Sequence, residues 1–429
     1  MMDKNTAAVL AAAVIIAFFA ATAAFFLLQS SDSGDDGYHV THSERLMIFG
    51  NADGNDVLDS RDVAKIEELV GTSGWKQTNP FADANNDGVI SSADVDMAKR
   101  MVKREAMDIF YAYMDGSDYV VDKVSYPIKN YVMVGDDVSI ALQSISATSK
   151  CKGVTVSDFD DPINSWVGSL ERIGNKSTAA EVPLATKVAD KDTVLITSAA
   201  SRYVTNQDAF ELAGIDVVRM NLGTGTNGDV AANYGLLTIG YLLGLEKESQ
   251  KAVKFSDDII DSVRTKVKDL DDSKKAKAIV ANRTANISGK SSEYYYIAQL
   301  AGAKNMIDEN SSFTSFNVSK GDDWLYGVDV DHILHFTSLG YGDANKNEVF
   351  STYDANFKLT DAYKAGNYDL MNANMPTAVS VAFSAESMYP DLFEKGYGYK
   401  MLNEYIKNFT CLPSTYDAET AGALFFMSS

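Results

Sequence analysis

Ser249-Gln250-Lys251-Ala252-Val253-Lys254-Phe255-Ser256-Asp257-Asp258-Ile259-Ile260-Asp261-Ser262-Val263-Arg264-Thr265-Lys266-Val267 contains no glycine and no proline, so nothing in it interrupts a helix. The charged segment around it, 246–270, carries Val253, Ile260, Val263 and Val267 at helical spacing, which makes one apolar stripe. On both sides the pattern changes. Short apolar runs at 131–134, 153–156, 193–197, 217–221, 278–281 and 332–337 read as strands. Helix-period runs such as 138–145, 207–213 and 294–301 lie between them. Strands alternating with helices predict an α/β fold with mostly parallel sheets. The segment 246–270 then reads as one long helix joining two such lobes, 119–245 and 271–429.

Several stretches carry a resemblance in this order. They are Tyr-Pro-Ile-Lys-Asn-Tyr-Val-Met-Val (126–134), Glu-Leu-Ala-Gly-Ile-Asp-Val-Val (211–218), Leu-Leu-Thr-Ile-Gly-Tyr-Leu-Leu-Gly-Leu-Glu (236–246), Ala-Gln-Leu-Ala-Gly-Ala-Lys-Asn (298–305) and Val-Ala-Phe-Ser-Ala-Glu-Ser-Met-Tyr-Pro-Asp-Leu-Phe (381–393). From 119 to 429 the chain resembles the helix-linked substrate-binding proteins of ABC importers, which capture siderophores, haem or vitamin B12. The resemblance implies two Rossmann-like lobes, a cleft between them holding a metal chelate (iron–siderophore, haem or corrinoid), and delivery to an ABC permease with little hinge motion. His332 and His335 depart from the family, whose strand here is usually apolar. A cleft of this kind is apolar with a few fixed polar groups. Candidate ligand contacts near the strand ends are Trp166, Arg202 and Tyr203 in the first lobe and Arg283, Tyr294, Tyr295, Trp324 and Tyr326 in the second.

Upstream lies a repeated twelve-residue pattern. The first copy places Asn51, Asp53, Asn55, Asp59 and Asp62, and the second Asp83, Asn85, Asp87, Ser91 and Asp94, at loop positions 1, 3, 5, 9 and 12. The carbonyls of Val57 and Val89 supply position 7. This all-oxygen set suits Ca²⁺, a hard cation. After each loop comes an apolar helical face (Val63, Ile66, Leu69, Val70; then Val95, Ala98, Met101, Val102), and neither half buries a core alone, so the two helices must pack on each other. This unit, 45–105, looks like a dockerin type I module, small, all-α and EF-hand-like. The resemblance implies a cohesin-like partner contacting Ser60, Arg61, Ser92 and Ala93. Asp56 stands at position 6 where glycine is usual, which predicts a weaker first site; the second has Gly88. A third stretch with the same pattern, 343–354, runs from Asp343 through Asn345, Asn347, Val349 and Ser351 to Asp354; a polar surface loop is the alternative there. The segment 106–118 reads as a linker.

The N-terminus holds no charge from 6 to 28, long enough to cross a bilayer as a helix. Lys4 precedes it and Asp32, Asp35 and Asp36 come after it, which places the body outside the cytoplasm. A retained transmembrane anchor and a cleaved signal peptide both fit 1–30, with a polar linker over 31–44. Six N-x-[ST] sequons, at Asn175, Asn282, Asn286, Asn310, Asn317 and Asn408, agree with export. Cys151 and Cys411 are the two cysteines, and sequence leaves open whether they pair.

With 38 Lys+Arg against 59 Asp+Glu, net charge −21, the surface repels a phosphate backbone and argues against nucleic-acid binding. Gly223, Gly225 and Gly228 fit the dinucleotide fingerprint, but the next strand begins near 278, too late for the acidic partner residue. His332 and His335 fall on a strand, where residues three apart face opposite sides, and His39 and His42 fall in the stalk, so neither pair reads as zinc ligands. No nucleophile–base pattern is present, and an enzyme is not indicated. The expectation is a membrane-anchored, extracytoplasmic solute receptor. A surface adhesion or scaffold protein using the calcium module is the alternative.

Overall fold

The computed structural model describes residues 46–429, except 116–117, 201, 223–225, 228–229, 232–233, 290–291, 293, 310–315, 318–322, 343–345, 422–424 and 428–429. The apolar N-terminal run, the stalk and His39/His42 lie outside the described residues. Among the described residues no helix is long and apolar enough to cross a membrane.

The repeat forms two loop–helix units, with helices Ser60–Leu69 and Ser92–Val102 packed on each other. In both, loop position 9 is the N-cap (Asp59, Ser91) and position 12 closes a capping box (Asp62, Asp94), so one carboxylate ends the loop and starts the helix. Ala52, Ile66, Trp75, Ala82, Ile90, Val95 and Ala98 form a small core between them.

The expected linker after this module is instead folded. β1 (Met107–Asp115) and β2 (Asp118–Tyr126) make an antiparallel hairpin. Ile109, Tyr111 and Tyr113 alternate into the core at period two, a strand signal in Met-Asp-Ile-Phe-Tyr-Ala-Tyr-Met-Asp that the acidic ends obscure.

The first lobe is a parallel sheet of β3 (Asn130–Val134), β4 (Cys151–Thr155), β5 (Glu171–Arg172), β6 (Thr193–Ser198) and β7 (Val217–Met220), in the order β5-β4-β3-β6-β7. A short ribbon, β8 (Thr226–Asn227) with β9 (Val230–Ala231), leads to the helix Tyr234–Leu243. The second lobe holds β10 (Lys277–Asn282), β11 (Asn286–Ile287), β12 (Lys304–Asn305), β13 (Phe316–Asn317), β14 (His332–Thr337), β15 (Tyr368–Asn372) and β16 (Phe425–Met427). Its order is β13-β11-β10-β14-β15-β16, with β12 alongside β10, and β10, β14 and β15 are mutually parallel. All of β14 is buried, as befits a central parallel strand covered on both faces.

Between the lobes runs the expected helix, Glu246–Val267, three residues shorter than the sequence predicts. Its stripe (Ala252, Val253, Ile259, Ile260, Val263, Val267) is buried against Tyr234–Leu243 and Thr377–Met388. The approach is close: a Cβ on Gly240 would lie 2.2 Å from Ser249 Oγ, and one on Gly302 (φ +90°) 2.7 Å from Val267. Phe255 adds rings from Tyr405 and Phe409.

Three further expectations meet the structure here. Of the third calcium pattern, 346–353 is a helix (Lys346–Tyr353), and a helix cannot curl its oxygens around one ion; Asp354 instead accepts the Tyr363 hydroxyl at 2.7 Å. His332 and His335 are buried in β14, with His335 Nδ1 against the Tyr368 hydroxyl at 2.6 Å. Cys151 and Cys411 are both free, and burial pushes the Cys151 thiol up to about 12.

Ile260 is 2% exposed. Ile260→Ala is expected to cost about 2–5 kcal/mol in denaturant unfolding. Asp369 on β15 is fully buried; its Oδ2 accepts the Ser387 hydroxyl at 2.5 Å and its Oδ1 has no partner. Burial, opposed by the Ser387 bond and helped by the Glu386 charge, raises its carboxyl to about 7. Because the folded state holds this proton more tightly than the unfolded chain, wild-type stability falls as pH rises from the ordinary carboxyl range towards 7. Asp369→Asn is therefore expected to gain on wild type across that window, by on the order of 4 kcal/mol at most, with no further change above it, read from unfolding curves at stepped pH.

Candidate functional site

Ligands of open α/β sheets bind outside the carboxyl ends of the strands. Here those ends meet. After β4, Asp161 is buried, with Oδ1 accepting the Ile163 N–H at 3.0 Å and both oxygens 3.1 Å from the Tyr341 N–H, which lies just past β14 in the other lobe. A Cβ on Gly340 would sit 2.7 Å from Asp161 Oδ2, so only glycine allows this approach. Burial raises the Asp161 carboxyl, and the charges of Asp158 and Asp136 add to the rise.

The other candidate residues lie on strand ends of the two lobes. In the first lobe, Asp136 after β3 accepts Ser157 N–H and Oγ–H at 2.9 and 2.6 Å, tying the ends of β3 and β4. After β6, exposed Arg202 lies over the ring of half-buried Tyr203, 5.1 Å from its centroid. Burial raises the Tyr203 hydroxyl, helped by the Asp137 charge. Trp166, in the turn Pro162–Val167, has a buried Nε1 without a partner. In the second lobe, Arg283 ends β10 exposed, in the left-handed region at φ +53°; its N–H bonds Phe336 O and its carbonyl receives His335 Nε2. Tyr294 stacks on Phe336 at 5.1 Å.

Five of the eight candidate contacts thus belong to strand-end loops or pack on a strand end: Trp166, Arg202, Tyr203, Arg283 and Tyr294. Trp324 does not. It lies in Asp323–Gly327, which leads into the amino end of β14, and packs with Tyr326 on the lobe's second core; Tyr295 is likewise core. Sequence reasoning missed Asp161 and Tyr341. Their signals are Asp-Asp-Pro (160–162) and Gly-Tyr-Gly (340–342), each just past a strand.

The two twelve-residue loops differ from each other. In the second, Asp83 accepts the N–H groups of Asp87 and Gly88 (3.1 and 2.7 Å), and Asp94 those of Asn85 and Ser91 (3.1 and 2.8 Å). Gly88 takes φ +91°. In the first, Asp62 plays the part of Asp94 towards Asp53 and Asp59, but Asn51 turns its amide to the carbonyls of Leu46 and Asn55 (2.7 and 2.8 Å). Asn51 Oδ1 is left buried without a partner. The left-handed residue is Gly54, φ +72°, and Asp56 is not left-handed, so Asp56 is unstrained. Burial, and the Asp257 charge on the linking helix, push its carboxyl up to about 6. Each loop sequence offers three carboxylates, joined by two Asn and a main-chain oxygen in the first and by Asn, Ser and a main-chain oxygen in the second. Among the described residues no three His, Cys, Asp or Glu side chains converge as a metal cluster. The oxygen-only donor set and the orphaned Asn51 oxygen fit a hard cation.

No protein-family model and no curated protein matches the chain by sequence. Solved structures do match. One is the TroA-like periplasmic binding protein FepB from Veillonella parvula, with TM-score 0.55, 15% identity, and coverage of 74% of this chain and 99% of that one. The fold is that of TroA-like binding proteins. Others are molybdate-bound MolA from Haemophilus influenzae (0.53, 16%, 70% and 97%) and nickel-bound CeuE from Helicobacter pylori (0.51, 16%, 72% and 98%).

Asp161→Ala leaves the buried Ile163 and Tyr341 N–H groups without an acceptor, which costs about 1–3 kcal/mol. The expected outcome is a lower melting temperature together with a larger radius of gyration in solution scattering as the lobes part.

Proposed function

We propose that this chain is an extracytoplasmic solute-binding receptor of an ABC importer that captures a metal chelate between its lobes. The observation that carries the reading is the meeting of strand ends from the two lobes, each set with an exposed arginine: Arg202 over the Tyr203 ring, and Arg283, whose N–H bonds the carbonyl of Phe336, on which Tyr294 stacks. Arginine forks grip carboxylate-bearing ligands, and flat rings cover apolar ones. Trp166 Nε1 adds a donor. Nickel and molybdate in two fold neighbours support a metal-containing ligand. The role is binding rather than catalysis. Iron–siderophore, haem and corrinoid are the classes to test, and an ABC permease is the partner that receives the ligand.

In this reading Ca²⁺ is held by Asn51, Asp53, Asn55, Val57, Asp59 and Asp62, and by Asp83, Asn85, Asp87, Val89, Ser91 and Asp94, the second loop more firmly because its first-position carboxylate is already cradled by main-chain N–H groups. Ser60, Arg61, Ser92 and Ala93 are exposed and available to a cohesin-like partner. The apolar run 6–28 holds the protein at the membrane.

The test is calorimetry of the full chain against ferric siderophores, haem and corrinoids, with and without Ca²⁺. Saturable binding of one chelate is expected. Arg202→Ala and Arg283→Ala each weaken it about tenfold or more, as the loss of a charge-assisted bond requires. A folded protein that binds none of the three leaves the adhesion or scaffold role instead.

A further inference from the structure

We infer that calcium in the two loops controls the receptor body, because both loops are built into the β1–β2 hairpin and the foot of the linking helix. This rests on the calcium reading given under the proposed function and extends it from a tether to a brace.

From the first loop the connection is made by main chain. Just before Asn51, the segment 47–49 lies along β1: the Ala112 N–H donates to Met47 O at 2.9 Å, the Phe49 N–H to Phe110 O at 3.0 Å, and Ile48 bridges Tyr111. The Met47 N–H donates to Thr238 Oγ1 at 3.0 Å, a buried bond into the helix that precedes the linking helix. From the second loop the connection runs through a helix. Asp94 caps Ser92–Val102, and near its far end the Met101 carbonyl accepts the Tyr241 hydroxyl at 3.3 Å. Arg104, held at φ +60°, covers the Tyr241 ring at 4.4 Å and pairs at 2.9 Å with Glu246, the first residue of the linking helix.

The two routes touch. Gly50, φ +109°, has Met101 Sδ only 3.0 Å from where a Cβ would stand. Leu46, Ile48, Leu58 and Met101 belong to the same buried cluster as Tyr111, Tyr126 and Tyr241, with no break between module and lobe. The hairpin carries the connection to a strand end of the first lobe: the Met114 N–H and carbonyl both bond the side chain of Asn221, just past β7, at 2.8 and 2.9 Å.

Without a cation the loop carboxylates repel one another, and so small a module has little core to resist them. Loop opening then releases the 47–49 segment and the end of Ser92–Val102 together. Any opening that requires calcium release is suppressed by the factor 1 + [Ca²⁺]/Kd.

Hydrogen–deuterium exchange on the full chain tests this. With free Ca²⁺ at about 100 times its Kd, exchange is expected to slow by up to about 100-fold in the loops, and also at Phe49, Ala112 and the first turns of Glu246–Val267. The double variant Arg104→Ala, Tyr241→Phe is expected to keep the calorimetric calcium affinity while the slowing at the linking helix is lost. Slowing confined to 51–94 in the unaltered chain overturns the inference and leaves the calcium sites standing. Absence of any calcium heat overturns both.

Discussion

The apolar stripe of Glu246–Val267 is the constraint from which the architecture derives. A solvated helix of that length gains little from its own hydrogen bonds. It persists because Val253, Ile259, Ile260, Val263 and Val267 are removed from water by helices on either side in sequence. The same burial fixes how the lobes stand to each other, since Tyr234–Leu243 belongs to the first and Thr377–Met388 to the second. The glycines at 240 and 302 mark where backbone comes so near that a single methyl would push the seam apart.

The loop–helix repeat changes meaning once its surroundings are known. In isolation a loop–helix repeat after a polar stalk reads as a device hung on a string. In the fold, one flank is a strand neighbour of β1 and the other supports Tyr241 and Glu246. The exposed positions 60, 61, 92 and 93 lie at the helix starts, clear of both attachments.

Much of this was readable in advance. β3, β4, β6, β7, β10, β14 and the linking helix were legible because burial on both faces produces runs of Val, Ile and Leu, and one-sided burial produces a stripe, whereas β15 (Tyr-Asp-Leu-Met-Asn) and the two-residue β5 carry no such run. The two loop–helix units were legible because each loop ends in a residue that caps the helix after it (Asp59 and Asp62, Ser91 and Asp94). Other parts were hidden for physical reasons. The β1–β2 hairpin draws its apolar faces from tyrosines between acidic residues, which mimics a link. The helix at 346–353 overlays a loop motif, and helix hydrogen bonding wins where no glycine forces the turn. The Asp161–Tyr341 contact joins residues far apart in sequence through a main-chain N–H, which every residue but proline possesses, so no side-chain pattern announces it. Trp324 looked like a cleft residue because it is aromatic and near a strand; it is near the wrong end of that strand.

The lobes meet at the helical seam, at the Asp161–Tyr341 contact, and where the Cys411 N–H donates to Gln143 Oε1 at 3.0 Å. A clam-shell swing would have to break both of these polar contacts. A frame joined at so many places yields first in its side chains and last in its span.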